Sequence, residues 1–456
     1  MPLKIHRTLL LLLTISLLLS ATACGTSEPQ PVLARMMTVN AESPAANEPD
    51  LLYSCNDGSL LFTYRNADIH DFIAECRQYE TDGYTPYSSS VMGNTVAATY
   101  VRDRALVHVY WHITLHELNV AVSQDAGATL PPVTTDSSPA AETAPCTVTQ
   151  MMDGENDIGM GYIVQLTDGS YIIYDGSFAG QAEKIKRVLL ENHTGEGAPL
   201  VRAWVLTHSH LDHIEALRAM AEEARRQETF TVEYFIVSPM NHAEYELSHE
   251  DHTAYLSTDF YRDAAAFTGS RVVFAHTGMT FTFGNLRMEV LYAPESLFKT
   301  TDEIHYFNNT SLVTRLYDEN YSALFLGDVG EAGTNLMVDF YGDYIQSDMC
   351  QISHHGLEDV PLSFYDRVRA PLLFYPCSQS AYDQFGQNGH TRRGLQKMPY
   401  TKEILIAGLE QYTRAWGTVF DKNAPLSMPD YIPPEIVGDE LPTSVGRPSV
   451  PIDKTA

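Results

Sequence analysis

The segment 207–214 reads Thr207-His208-Ser209-His210-Leu211-Asp212-His213-Ile214 and holds four potential metal ligands within six residues. It directly follows the apolar run 203–206. An apolar run that ends in such a cluster is typical of a buried strand that delivers side chains to a site at its end. His208 and His210 are two residues apart, so they project to the same side of an extended segment. Asp212 and His213 follow on the turn into a helix that we expect to begin near Ile214.

The close spacing of these ligands favours two metal ions over one. Short links cannot wrap a tetrahedron, so four neighbouring ligands do not all close on a single ion. They are better suited to a division between two ions, with the remaining ligands supplied from further along the chain. A histidine-rich turn without metal is the alternative, but nothing apolar explains this spacing and buried histidines need partners.

The pattern His-x-His-x-Asp-His after a strand resembles the signature of the metallo-β-lactamase superfamily, a broad group of metal-dependent hydrolases. The resemblance implies an α/β fold of the αββα sandwich type. Upstream of the motif, a hairpin at 162–174 with an Asp-Gly turn, a helix at 181–192 and the strand 203–206 are predicted from the residues. This order is similar to the opening of that fold.

The remaining ligands are expected at the ends of two later strands. The apolar strand 322–326 ends in Gly327-Asp328, where glycine lets the chain turn and the carboxylate leaves the strand toward the site. Asp328 is therefore the candidate bridging ligand, with a turn-capping aspartate as the alternative. A second strand, 349–353, runs into His354-His355-Gly356. Adjacent residues point opposite ways, so one of these histidines binds metal and the other lines the pocket; His354 is preferred as the ligand, and His355 is the alternative.

Together with Asn309-Thr310-Ser311-Leu312-Val313, these motifs resemble one branch of the superfamily. That branch includes the metallohydrolase domain of the competence protein ComEC and the phosphorylcholine esterases, and the resemblance covers about 150–420. Many relatives outside it carry a histidine where Asn309 stands, so the amide oxygen of Asn309 or a water would complete one metal site. The branch also carries an Asn and a His further on. Asn388-Gly389-His390 is similar, which implies a substrate-binding or supporting role for His390, or else a surface histidine.

These motifs and the resemblance imply hydrolysis by a metal-bound hydroxide. His208, His210, Asp212, His213, Asp328 and His354 hold the ions, and Asp212 also orients the nucleophile. Zinc is the first choice because imidazoles dominate, with two ions expected; manganese or iron remain open where carboxylates contribute.

Three functions are compatible with these motifs. The first is an exported hydrolase of a phosphodiester or related ester. The second is a β-lactamase or other amidase. The third is a surface binding protein with a degenerate metal site, which the absence of a histidine at position 309 would favour.

The first residues have the features of an export signal. Lys4 and Arg7 precede the apolar run 9–19, and Cys24 follows small residues. We expect residues 1–23 to be a signal peptide and 24–50 a tether lipidated at Cys24, which gives an outward-facing membrane lipoprotein; simple secretion is the alternative. The apolar run is shorter than the ~20 residues needed to span a bilayer.

The rest of the chain divides by composition. Residues 51–125 are expected to form a small α+β domain, with a helix at 68–79 and strands at 60–64, 95–100, 105–114 and 117–122. A Pro/Ala/Thr/Ser linker, 126–145, precedes the hydrolase domain 146–425, and 426–456 is an irregular tail. His108, His112 and His116 recur every fourth residue, but the strands around them argue against convergence on a metal.

Charge restricts the partners. The 456 residues carry a net charge of −29, which repels polyanions, so no stable nucleic-acid binding is expected. The expected partners are a small-molecule or cell-surface ester substrate, and the membrane through the N-terminal lipid.

Overall fold

The computed structural model describes residues 48–55, 58–132, 142–151, 158–240, 255–294, 307–357, 360–384 and 390–432. The predicted signal peptide, Cys24 and nearly all of the predicted tether lie outside these ranges. Across the described residues, no helix has the length and apolar character needed to cross a membrane.

The N-terminal part is a six-stranded antiparallel sheet with one helix, as expected for a small α+β module. The strand order is β1-β2-β6-β5-β4-β3. Its strands are β1 (Leu51–Ser54), β2 (Leu60–Tyr64), β3 (Thr85–Met92), β4 (Thr95–Arg102), β5 (Ala105–His112) and β6 (Glu117–Ser123). Helix α1 (Ile69–Thr81) begins at a capping box formed by Asp68 and Asp71 and packs Phe72 onto one face of the sheet. Strand β3 was not predicted, because its run of serines and a proline hides the apolar alternation.

A seven-stranded sheet follows, in the order β12-β11-β10-β9-β8-β7-β20. Its strands are β7 (Thr147–Gln150), β8 (Gly161–Gln165), β9 (Tyr171–Asp175), β10 (Leu200–Val205), β11 (Thr231–Val237), β12 (Arg271–Phe274) and β20 (Tyr412–Ala415). Its outer face is covered by α2 (Ala182–Glu191), α3 (Leu211–Ala224) and α4 (Phe260–Ala264). The predicted hairpin, helix and strand upstream of the ligand motif are thereby confirmed.

A second seven-stranded sheet runs in the order β13-β14-β15-β16-β17-β18-β19. Its strands are β13 (Thr280–Phe283), β14 (Leu286–Tyr292), β15 (Val313–Tyr317), β16 (Ser322–Phe325), β17 (Met349–Gln351), β18 (Leu372–Tyr375) and β19 (Glu403–Ile406). Four helices contribute to the outer layer: α5 (Glu331–Tyr341), α6 (Leu362–Val368), α7 (Gln379–Gln384) and α8 (His390–Lys397).

The two seven-stranded sheets pack face to face, which confirms the αββα sandwich. Side chains alternate across β9: Ile172 and Tyr174 enter the core between the sheets, while Tyr171 and Ile173 enter the core beneath the outer helices. The ring of Tyr174 stacks on Phe325 of the other sheet, with centroids 3.9 Å apart. Strands buried on both faces need apolar side chains on both, which explains the nearly continuous apolar run of β10.

The fold brings four loops to one edge of the sandwich. Strands β9, β10 and β11 are parallel neighbours, as are β16, β17 and β18. The carboxyl ends of parallel strands share an edge, and ligand sites in α/β sheets form beyond it. The segments after β10, β16 and β17 carry the candidate ligands, and β9 ends beside them at Asp175.

The N-terminal sheet packs its other face against the sandwich. Ser90 Oγ donates to the backbone oxygen of Gly278 at 2.9 Å, and Nε2 of His108 lies 2.9 Å from the backbone oxygen of Thr277. The ring of His112 stacks on Phe340 with centroids 3.7 Å apart. Within the described ranges, neither histidine belongs to a cluster of potential metal ligands. Their contacts instead join the two parts of the chain.

Two segments that were expected to be irregular also contribute contacts. Leu130, in the predicted linker, is buried in the core between the two sheets. Met428, in the predicted tail, packs against the outer core of the second sheet. The domain boundaries at 125, 145 and 425 stay predictions.

Gly278 provides a test of the contact between the N-terminal sheet and the sandwich. Gly278 and Gly269 both have φ near +90°, at +93° and +83°, but a Cβ at 278 would lie 2.5 Å from Ala97 Cβ, whereas the space at 269 is open. Both alanine variants carry the same backbone strain, and only Gly278→Ala adds a clash. We expect Gly278→Ala to lower the free energy of unfolding by roughly 1–3 kcal/mol more than Gly269→Ala, measured by urea titration. Equal midpoints for the two variants would show that the sheet does not pack at this point.

Candidate metal centre

Asp175, the last residue of β9, ties that strand to the ligand motif. Its buried carboxylate accepts hydrogen bonds from the backbone N–H and the hydroxyl of Thr207, both at 2.8 Å, and from Nδ1 of His213 at 2.8 Å. Burial raises the pKa of Asp175, although His213 and the Thr207 donors act in the opposite direction. The carboxylate therefore fixes the loop after β10 and the ring of His213 together.

Two histidines are held so that Nε2 faces the cluster. The bond from Nδ1 of His213 to Asp175 leaves Nε2 3.2 Å from Asp328 Oδ2. Nδ1 of His355 lies 2.7 Å from the backbone oxygen of Pro376, which can only accept, so this nitrogen carries the proton. Metal-binding histidines have the same arrangement, with one ring nitrogen bonded to a carboxylate or carbonyl and the other facing the ion.

Asp328 depends on the glycine before it. Gly327 has φ +56°, and a Cβ there would lie 2.8 Å from Thr207 Cβ and 2.9 Å from Ser311 Oγ. No side chain fits this turn without displacing the loop that carries the motif. Ser311 Oγ then accepts the backbone N–H of Asp328 at 2.9 Å, which fixes the carboxylate below the other ligands.

Four buried residues form what we name the closed group: Asp212, His213, Asp328 and His355. Nε2 of His213 lies 3.8 Å from Asp212 Oδ2 and 3.2 Å from Asp328 Oδ2. Nε2 of His355 lies 2.9 Å from Asp212 Oδ2 and 3.3 Å from Asp328 Oδ2. Zinc bonds of about 2.0–2.1 Å in a tetrahedron place ligand atoms about 3.3 Å apart. The group thus has the size that a tetrahedral ion needs.

The open group consists of His208, His210 and the same Asp328. The Thr207 hydroxyl lies 3.1 Å from Nδ1 of His208, which directs Nε2 toward Nδ1 of His210 at 2.9 Å. Nε2 of His208 lies 3.9 Å from Asp328 Oδ2. His208 and Asp328 are buried, whereas His210 is only partly buried. Asp328 is therefore placed to bridge the two groups.

The buried carboxylates of the cluster need positive charge beside them, as the pKa shifts of its residues indicate. Burial alone would lower the pKa of His355, but Asp328 and Asp212 raise it to about 10. Burial would raise the pKa of Asp328, but His355 and His213 hold it well below its usual value. Two carboxylates this deep are stable only beside cations.

Two buried atoms of the cluster also lack hydrogen bonds among the described residues. Asp328 Oδ1 accepts none, and Nε2 of His355 makes none with acceptable geometry. A metal ion satisfies both kinds of atom, so the residues present fit a metal centre.

The structure corrects the choice between the adjacent histidines. His355 is in the closed group, whereas His354 is in neither and has Nε2 3.0 Å from Asn308 Nδ2. Strand alternation does not apply here, because β17 ends at Gln351. Both histidines adopt the left-handed backbone conformation, with φ of 47° and 54°. That conformation costs about 1–2 kcal/mol per residue, a strain that is common at functional sites.

Asn309, for which a ligand role was one of two alternatives, has its side chain oxygen engaged elsewhere. Its Oδ1 accepts the backbone N–H groups of Gly330 at 3.0 Å and Gly333 at 3.4 Å, at the start of α5. The side chain therefore caps a helix. His390 begins α8; its side chain and the preceding Asn388-Gly389 lie outside the described residues, so its role stays a prediction.

Sequence reasoning missed Asp175 and Ser311 as supporting residues. Asp175 follows a buried apolar strand in the same way as Asp328, and that similarity was a usable signal. Ser311 belongs to the motif 309–313, but its hydrogen bond to Asp328 could not be predicted, because it depends on how two distant loops meet.

Comparisons with known proteins agree with this architecture. The family model described as "Metallo-beta-lactamase superfamily" matches residues 156–372. No curated protein matches the chain.

Several solved structures are similar. The metallo-beta-lactamase fold protein YhfI from Bacillus subtilis is 12% identical, with a TM-score of 0.31, over 58% of this chain and 86% of that one. Zinc-bound PqqB from Methylobacterium extorquens is 13% identical, with a TM-score of 0.31, over 45% and 72%. A possible metal-dependent hydrolase from Veillonella parvula is 11% identical, with a TM-score of 0.33, over 60% and 100%. At these TM-scores the similarity carries no argument about activity.

Asp175 tests the support of the closed group. Asp175→Asn replaces the acceptor for Nδ1 of His213 with a group that can present a donor, so the ring loses its orientation. We expect metal affinity to fall about 10–100-fold, measured by competition with a chromogenic chelator. Asp168→Asn, at the other end of β9 beside Arg202, is the matched control and should leave the affinity unchanged. Equal affinities in both variants would contradict the supporting role.

Asn309 tests the helix cap. Asn309→Ala leaves two buried N–H groups without an acceptor and should lower the free energy of unfolding by about 1–3 kcal/mol, with the metal content unchanged. Asn309→Asp keeps the acceptor oxygen at a helix N-terminus and should retain most of the stability. Urea unfolding and elemental analysis measure both quantities. Loss of metal in Asn309→Ala at full stability would identify Asn309 as a ligand instead.

Proposed function

We propose that this chain, which carries a metallo-beta-lactamase superfamily domain over residues 156–372, is a metal-dependent hydrolase of a phosphodiester or related ester. The observation that supports this most is the pair of ligand groups that share Asp328 at one edge of the sandwich. Two adjacent metal sites joined by a carboxylate suit the displacement of a leaving group by water at phosphorus.

Different residues of the chain would orient the attacking water, face the substrate and limit the space around the metal. The ions, when bound, would activate water and stabilise the negative charge of the transition state. Asp212 belongs to the buried closed group and also orients the attacking water. His210, the least buried ligand, lies on the side that a substrate reaches from solvent. Phe307 lies beside it, with ring centroids 5.2 Å apart, and limits the space around the open group.

Zinc is the metal we propose, with two ions per chain. Four imidazoles and two carboxylates converge on the centre, and imidazole-rich sites of tetrahedral size suit zinc. Manganese and iron are the alternatives, because the two carboxylates also suit harder ions.

We place the enzyme outside the cytoplasm, anchored to the membrane through a lipid on Cys24. The basic and apolar N-terminal residues followed by Cys24 support this. A small-molecule or cell-surface ester is the proposed substrate. The net charge of −29 argues against stable association with nucleic acids.

Ester hydrolysis gives the first test. The purified chain should hydrolyse bis-(p-nitrophenyl) phosphate, lose the activity to a chelator and regain it with zinc. His210→Ala removes a ligand and should lower the rate by about 100-fold or more, since even supporting residues of metal sites cost 10–100-fold. His70→Ala, on α1 of the N-terminal module, is the control and should keep the rate. An unchanged rate in His210→Ala would refute the proposal.

The same preparation separates the competing functions. Cleavage of nitrocefin without phosphodiester hydrolysis would favour a β-lactamase or amidase. Fewer than one metal ion per chain, with no hydrolysis of any ester, would favour a surface binding protein.

A further inference from the structure

The two ligand groups are built differently, and the difference concerns how firmly each would hold an ion. We propose that the closed group keeps its ion permanently, whereas the open group takes an exchangeable ion and presents the face to which substrate binds. This rests on the proposed function, because it assumes that metal occupies both groups.

The number of protein donors differs between the groups. Among the histidines, cysteines and acidic residues that the structure describes, the closed group supplies four donors and the open group three, and Asp328 is shared by both. Structural zinc sites are closed by four protein ligands, whereas catalytic sites have three and keep a position for water or substrate. Asn309 does not close the open group, because its side chain oxygen is bonded to the start of α5. On the donors that the described residues supply, an ion in the open group would keep a position for water or substrate.

Both histidines of the closed group are held by hydrogen bonds to buried acceptors. Asp175 fixes His213, and the backbone oxygen of Pro376 fixes His355. Gly356 keeps the turn after His355 tight, because a Cβ there would lie 2.0 Å from the Tyr375 hydroxyl. Donors already in position lose little conformational freedom when an ion binds. His210, in contrast, is partly exposed at the N-terminus of α3.

The number of carboxylates also favours tighter ion binding by the closed group. The closed group contains two carboxylates, Asp212 and Asp328, and all four of its residues are buried. The open group has two imidazoles and only the shared carboxylate. A buried dication is attracted more strongly by two carboxylates than by one. An ion held by the closed group would partly neutralise Asp328 and would repel a second ion.

The exchangeable ion of the open group would also determine where the substrate binds. An exchangeable ion with a free coordination position, beside the partly exposed His210, is the point at which an ester oxygen can bind. The chain would thus be isolated with one ion and recruit the second at the metal concentration of its surroundings.

Zinc titration of the full chain tests this without relying on catalysis. The protein is stripped with a chelator and titrated with zinc alone, and binding is followed by calorimetry and elemental analysis. We expect two equivalents whose dissociation constants differ by at least 100-fold, with about one ion retained after dialysis. His210→Ala should lose the weak equivalent and keep the tight one. His355→Ala should lose the tight equivalent.

One measurement avoids the risk that a variant fails to fold. Crystals of the unaltered chain with one zinc equivalent, measured at the zinc absorption edge, should show anomalous density between His213 and His355. Density between His208 and His210, or two equivalents of equal affinity, would overturn the assignment while leaving the proposed hydrolase intact. A chain that binds no zinc and hydrolyses no ester would overturn both.

Discussion

The carboxylate of Asp328 is the contact on which the centre depends, because it is the one donor that both ligand groups share. His208 comes from the loop after β10 of the first sheet and His213 from the first turn of α3, while Asp328 and His355 follow strands of the second sheet. An ion held by these residues would therefore join the two halves of the sandwich. Metal binding would stabilise the fold as well as the reaction, since a ligand that binds only the folded chain shifts the unfolding equilibrium.

The support around Asp328 consists of backbone positions that few residues can adopt. Gly327 turns where a side chain would collide with Thr207, and Asp175, His354 and His355 all have positive φ. Such conformations persist only where the surrounding contacts hold them. Their concentration at this edge of the sandwich shows that packing of the strands below holds the ligand geometry against local strain.

Much of this arrangement was predictable from sequence, because it depends on local patterns. The apolar run before His208, the strand before Asp328 and the α+β character of the N-terminal module follow from periodicity and turn residues. The choice between His354 and His355 failed, since two successive left-handed residues break strand alternation. The cap formed by Asn309 was hidden for another reason: its partners, Gly330 and Gly333, lie more than 20 residues away.

Helix α5 connects Asn309 to the N-terminal module. Its N-terminal end is capped by Asn309, beside the metal ligands, and its C-terminal end carries Phe340, which stacks on His112 of the N-terminal sheet. A helix is a rigid element, so both ends share one position within the sandwich. The N-terminal module is thus packed against the support of the centre. An asparagine that anchors this helix cannot also donate to a metal, because its one carbonyl oxygen is already bonded to two backbone N–H groups. The same side chain therefore caps the helix on which the N-terminal module packs and is withheld from the open group.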